Sequence, residues 1–170
     1  MTPAAQIYDQ LSLHLRPGDA YATVLLAQIQ ERNERYGDAI ATLERVKTDA
    51  TFGWTARLAI AGNLTRIERR DDAIALLKTM VEERRDRSDA AETLADLYRQ
   101  AERYPEAIGA YDTAITRTTN FDADDWRLFY GRGIGHERTK AWPKAEADFL
   151  KALELAPEQP LVLNYLGYSW

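Results

Sequence analysis

The sequence contains no cysteine, which removes disulfides, thiolate metal sites and cysteine nucleophiles from consideration. It has only two histidines, His14 and His136. They fall on separate helices far apart along the chain, so a histidine metal site or catalytic relay is not expected and each reads as a packing residue. No apolar run approaches the roughly 20 residues needed to cross a bilayer, and the first eight residues have neither the basic start nor the apolar stretch of an export signal, so direct membrane insertion is not expected. Basic charge is also scarce, with 22 Lys and Arg against 27 Asp and Glu. That balance argues against a nucleic-acid partner, because displacing phosphate counterions requires a basic face.

What the chain does have is a period. Alanines recur at Ala39, Ala73 and Ala107 with a spacing of 34 residues, and again at Ala145 after 38. Self-similarity at that period is the mark of stacked helix pairs, each burying its faces against its neighbours. Residues 4–19 read as the second helix of a partial repeat, stopped by Arg16-Pro17-Gly18-Asp19. Full repeats follow at 20–53, 54–87, 88–125 (including a longer connection) and 126–159, and residues 160–170 begin the first helix of another. Within each, apolar residues at spacings of three and four mark two helices. Proline at the first turn of a helix costs no hydrogen bond, so Tyr104-Pro105-Glu106-Ala107 and Trp142-Pro143 open second helices. The expected class is an all-α array of antiparallel helix pairs.

The pattern resembles the tetratricopeptide repeat (TPR) family over nearly the whole chain. Small residues occupy the eighth place of each unit at Ala27, Ala61, Ala95, Gly133 and Gly167. The twentieth is alanine at Ala5, Ala39, Ala73, Ala107 and Ala145. Large apolar or aromatic residues stand at the twenty-fourth, at Leu43, Leu77, Tyr111 and Phe149, with Ala114 and Ala152 at the twenty-seventh and Pro17 and Pro157 at the thirty-second. Asp9, Val46 and Met80 depart from the pattern, as does Arg132, which stands where a leucine is usual. The resemblance implies a right-handed α-solenoid. The tail Asn164–Trp170 is similar to a segment common in long proteobacterial TPR proteins, which implies a longer parent protein and, for that parent, the bacterial cell envelope.

Candidate chemistry is sparse. Asn120, Asp122 and Asp124 alternate like the start of a calcium loop, but Asp125 stands where glycine is needed and Gly131 where glutamate is needed, so helix capping is expected. Gly131, Gly133 and Gly135 lack the GxGxxG spacing and a preceding strand, so they are expected to permit close helix packing. Paired acids such as Asp71 and Asp72 point in different directions on a helix and do not form an acid and base pair. The segment Glu82–Arg87 interleaves acids with bases and reads as a solvated turn. No catalytic residue, cofactor or metal is therefore expected.

The resemblance implies that partners bind a groove lined by the first helix of each pair. The corresponding residues are Tyr21, Val24, Gln28 and Arg32; Thr55, Leu58, Gly62 and Arg66; Asp89, Glu92, Asp96 and Arg99; and Arg127, Tyr130, Ile134 and Arg138. The lysine and asparagine of the family's carboxylate clamp are absent, since the relevant pairs are Val24 and Gln28, Leu58 and Gly62, Glu92 and Asp96, and Tyr130 and Ile134. Charge is uneven along the array. Residues 54–87 carry 8 Lys and Arg against 6 Asp and Glu, 88–125 carry 3 against 9, and 126–170 carry 6 against 5. Asp89, Glu92 and Asp96 recur at three and four and form one acidic stripe, suited to a basic or amine-bearing segment. The expected function is a non-enzymatic protein-interaction scaffold with a protein or peptide partner. Two alternatives stand beside it. One is a structural module that self-associates through its ends, with Tyr165, Tyr168 and Trp170 uncovered; the other is a set of repeats accessory to an enzyme domain elsewhere.

Overall fold

The structure, a computed structural model, describes residues 19–167. Nearly all of the helix expected over 4–19, with His14, Tyr168 and Trp170, lies outside those residues. Among the described residues every regular element is helical. The chain divides into two compact units, residues 1–76 and 77–170, with the division falling inside a helix.

In the first unit, helix α1 is Ala20–Arg32, α2 is Tyr36–Leu43 and α3 is Gly53–Arg66. Helix α4, Arg70–Glu83, begins here. Asp19, expected only to stop a preceding helix, also caps α1. Its Oδ1 accepts from the amides of Tyr21 (3.0 Å) and Ala22 (3.2 Å), satisfying donors that the first helical turn leaves without partners. Helix α2 ends at Leu43. The amides of Arg45 and Val46 turn back to Thr42 and Leu43 instead, tightening the chain before the next pair. The core joins Val24, Ala27, Ala39, Leu43, Val46 and Ala56, flanked by Phe52, Ala59 and Ile60. Val46, which departs from the family's small residue, is one of these core members.

In the second unit, α5 is Asp89–Gln100, α6 is Tyr104–Arg117, α7 is Trp126–Arg138, α8 is Trp142–Leu155 and α9 is Pro160–Gly167. Each of these helices packs on the next, and α5 also touches α7, so first helices meet across successive pairs. The four-residue excess forms a 3-10 turn, Ala123–Asp125. There the Asp124 amide donates to Asp122 Oδ1 (2.7 Å) and the Asp122 amide to Asp125 Oδ2 (2.8 Å). These acids are spent on the reciprocal capping expected of them. The glycines of α7 allow close approach. A Cβ at Gly131 would run into the Tyr111 hydroxyl, and one at Gly133 would come within 2.6 Å of the Phe149 ring.

The turn inside each pair repeats with the period. Glu34, Glu68, Glu102 and Lys140 all have positive φ, between 57° and 63°. The next amide closes back five residues: Arg35 to Gln30, Arg69 to Leu64, Arg103 to Tyr98 and Ala141 to His136, at 2.8–2.9 Å. This is a Schellman closure, built here on non-glycine residues that pay steric strain in the left-handed region. In three repeats an arginine after the turn bonds an acid three residues on, Arg35 to Asp38, Arg69 to Asp72 and Arg103 to Glu106. Those pairs are about half exposed and contribute little to stability.

Arg132, the departure from leucine, bridges three helices. Its Nε and Nη2 donate to the two carboxylate oxygens of Asp148 on α8 (2.9 and 2.6 Å), and Nη1 donates to Asp112 on α6 (2.7 Å). Asp148 is only 5% exposed, and His136 Nε2 lies 3.9 Å from it. Burial, opposed by Asp148, lowers the His136 pKa, so this imidazole is neutral at pH 7 and Arg132 supplies the compensating charge.

Replacing Glu102 with glycine is expected to raise the unfolding free energy by about 0.5–1 kcal/mol, because strain at positive φ is relieved; urea titration checks it, and an unchanged midpoint would remove strain as a cost of this turn. Arg132→Leu is expected to cost about 3–5 kcal/mol by leaving Asp148 buried without a partner. Arg132→Leu with Asp148→Leu should recover most of that loss, and a double variant as unstable as the single one would show that the pair is not the cause.

Candidate functional site

In the second unit α5 and α7 lie side by side, which brings Glu92 near Arg127 and Arg99 near Tyr130. Asp96 and Arg99 sit one turn apart on α5, which alone would leave them loosely held. Tyr111 of α6 fixes both. Its hydroxyl donates to Asp96 Oδ1 (2.5 Å) and accepts from Arg99 Nε (3.0 Å), while Arg99 Nη2 donates to Asp96 (3.0 Å). The ring is almost wholly buried. Burial and the Asp96 charge push the phenol pKa well up, so it remains a donor. Its place in the repeat implies packing alone for Tyr111. The signal for more was its hydroxyl at a place otherwise filled by Leu43, Leu77 and Phe149.

Glu92 lies one turn before Asp96, half-buried, and among the described residues no donor forms a hydrogen bond to its carboxylate. Burial raises its pKa first, then the negative charges of Asp96, Asp125 and Asp89; Arg127 opposes them. Asp89 is drawn away by an ion pair to Arg87 (2.6 Å), and Arg127 pairs with Asp124 (3.4 Å) while its guanidinium lies over the Trp126 ring. The acidic stripe is thus reduced to one under-neutralised group, Glu92, beside an anchored one, Asp96.

Aromatic rings cluster on and around the neighbouring helix, α7. Tyr130, half-buried, packs against Trp126 (5.4 Å between centroids), Tyr165 (5.7 Å) and Phe149 (6.1 Å). Its hydroxyl pKa is raised by burial and by Tyr165, and Arg99 opposes the shift. Tyr165, expected to be uncovered, instead lies against Tyr130 and Phe149; the exposed apolar residues of α9 are Leu161 and Leu163. Arg138 is exposed and pairs with Glu137 (3.3 Å). Ile134 is buried in the core at 8% exposure, so its side chain is not available to a partner.

In the first unit Val24 is likewise a core residue, at 8% exposure; α2 and α3 both pack against the face of the array it supports. Tyr21 is exposed and its ring meets Phe52 at 5.7 Å. Thr55 is exposed and Leu58 half-buried. Gln28, Arg32, Gly62 and Arg66 come together in an open cleft of about 620 Å³, completed by Glu31, Tyr36, Ala59 and Asn63. Asn63 is buried and its Nδ2 donates to Glu31 Oε1 at 2.6 Å, tying α3 to α1. Tyr36 was not foreseen, because it belongs to a second helix. Among the described residues no cluster of His, Asp and Glu could hold a metal, and no helix is long and apolar enough to cross a membrane.

The geometry agrees with the comparisons to known proteins. The sequence pattern of the tetratricopeptide repeat family matches residues 4–52, 58–123 and 93–160. No curated protein sequence matches the chain. Among solved structures, MamA superposes with a TM-score of 0.74 at 21% identity, covering 91% of this chain and 88% of MamA. YrrB, described as a TPR protein with an unusual peptide-binding site, gives 0.72 at 18%, covering 96% and 82%. PilW, a type IV pilus biogenesis factor, gives 0.78 at 18%, covering 95% and 74%. At such identities the likeness establishes the fold. The repeat-by-repeat sequence match and the antiparallel helix pairs together show that the chain belongs to the tetratricopeptide repeat family.

Proposed function

We propose that the protein is a non-enzymatic interaction scaffold whose α5–α7 face receives a cationic side chain, such as lysine, from an extended partner segment. The observation that carries this is Glu92: a half-buried carboxylate with a raised pKa, beside the anchored Asp96, with Tyr130 of the neighbouring helix near Arg99. An ammonium placed there would supply the missing counter-charge, and the tyrosine offers its aliphatic stem an apolar wall. Arg127 and Arg99 are already engaged with protein groups, so they frame the site. Titratable groups pushed from their usual values in a cleft mark functional surfaces, and YrrB shows that the same fold in another protein carries a peptide-binding site.

Self-association through the chain ends is the second reading, favoured by the exposure of Leu161 and Leu163 at 54% and 49%. Sedimentation of Leu161→Glu with Leu163→Glu tests it: dissociation of an otherwise dimeric species supports it, and unchanged mass sets it aside.

Glu92→Gln separates stability from binding. A carboxyl whose folded pKa is raised gives stability that is fully present below its unfolded value and lost as pH rises through the folded one. The glutamine variant is therefore expected to be more stable than the parent at pH 7, with the two converging below about pH 4. It should also weaken binding of a lysine-bearing peptide at least tenfold, read by fluorescence anisotropy at low salt, while leaving the acetyl-lysine analogue unaffected. Equal affinity for both proteins would refute the site. Tyr111→Phe should weaken the same peptide by a smaller factor, because Asp96 and Arg99 lose their shared anchor; no change would make Tyr111 a packing residue only.

A further inference from the structure

We infer that His136, Arg132, Asp148 and Asp112 form a proton-operated joint, which loosens α8 from α7 when the imidazole takes up a proton. In the other pairs, the places of Arg132, Asp148 and His136 hold Leu26, Thr42 and Gln30; Ile60, Leu76 and Leu64; and Leu94, Ala110 and Tyr98. The matching turn closures fix that correspondence, since the amides of Arg35, Arg69, Arg103 and Ala141 donate to the carbonyls of Gln30, Leu64, Tyr98 and His136. The three ionisable groups therefore enter together, in one pair, where the other pairs use uncharged side chains.

One carboxylate oxygen is the atom they share. Arg132 Nε donates to Asp148 Oδ2 at 2.9 Å, and His136 Nε2 lies 3.9 Å from that same oxygen. The longer distance is beyond a hydrogen bond, so the neutral imidazole leaves the oxygen to Arg132. The charged groups facing His136 are Arg132 on its own helix, Asp148 and Lys144 on α8, and Asp112 on α6. Its neighbours Glu137 and Arg138 pair with each other. Two cations and two anions balance while His136 is neutral. A proton adds a third cation beside the guanidinium, where Asp148 is only 5% exposed, and two charged donors then compete for one oxygen. Arg132 has a place to retreat to, because its Nη1 already donates to Asp112 on α6 at 2.7 Å. What is given up is the link to α8. Burial, which lowers the His136 pKa, sets this change below the ordinary imidazole value of about 6.5. A depressed imidazole pKa gives stability that is present above the unfolded value and lost as pH falls through the folded one.

The test uses the full chain with His136→Tyr and His136→Gln, which install the residues found at the corresponding places, Tyr98 and Gln30. Amide hydrogen exchange of α8 is compared between parent and variants from about pH 7.5 to about pH 5. The ratio of parent to variant rates is expected to be constant at the upper end and to rise as pH falls below about 6.5. Taking the ratio cancels ionisations common to both proteins, including His14 and Glu92. In the parent, the Arg132 Nε–H signal in NMR spectra should shift in step with the His136 imidazole. A ratio that stays constant against either variant, or an Arg132 signal that ignores the imidazole titration, would overturn the joint. Because α8 itself is the readout, neither outcome depends on whether the α5–α7 face binds a peptide.

Discussion

The distance at which paired helices meet governs everything else in this chain, and it is set by residues with almost no side chain. Ala27, Ala39, Ala73, Ala95, Ala107 and Ala145 are all at 0% exposure, and Ala61 is at 1%. At these points one helix backbone lies close to its neighbour, so a larger side chain would force the axes apart at a cost of about 1–3 kcal/mol. Gly133 carries the constraint to its limit by yielding its Cβ space to Phe149. Because each helix pair is closed at small residues, large side chains are displaced to the flanks. The buried rings of Tyr111 and Phe149 fill the remaining space there, and polar tips reach the surface of the first helices.

Close packing also determines which polar groups the core tolerates. Arg132 enters where an apolar residue is expected, and it is retained with five planar donors facing two acids on adjacent helices. Tyr111 does the same in a smaller way: its ring fills the core while its hydroxyl holds Asp96 and Arg99. In both cases a buried polar group is satisfied by partners on other helices, so the cost of burial is offset and relative helix positions become specified. Glu92 breaks that rule. It shares the same helix and the same acidic neighbourhood but accepts no hydrogen bond from any described residue, and burial followed by the charges of Asp96 and Asp125 pushes its carboxyl pKa up.

The fold was legible because helix pairing is written in the period itself. The recurrence of Ala39, Ala73 and Ala107 locates each second helix, and the structure places helices at Tyr36, Arg70, Tyr104 and Trp142 accordingly. The turn residues carry the same period, Glu34, Glu68 and Glu102, but glutamate does not advertise positive φ as glycine would, so the repeated Schellman closure had no chemical signal. The site was legible only in part. Repeat position alone cannot distinguish Glu92, half-buried and free, from Val24 and Ile134 at 8% exposure, because rotation of a helix by a few tens of degrees moves a residue between surface and core. Tyr36, Asn63 and the third-helix contact of Glu31 depend on how two pairs stack, which no single repeat encodes.

Such a scaffold separates the task of standing from the task of recognising. Small residues and a few satisfied polar bridges hold the pairs together without using the exposed stripes of the first helices. Residues kept there despite their cost are then the informative ones. An unneeded glycine in the middle of α3 and an uncompensated acid on α5 each lower stability in a place where packing would accept something better. Selection for stability alone would replace both, as alanine or leucine at Gly62 and glutamine at Glu92. Under the function proposed above both are costs of binding, since function is commonly maintained at some expense of stability.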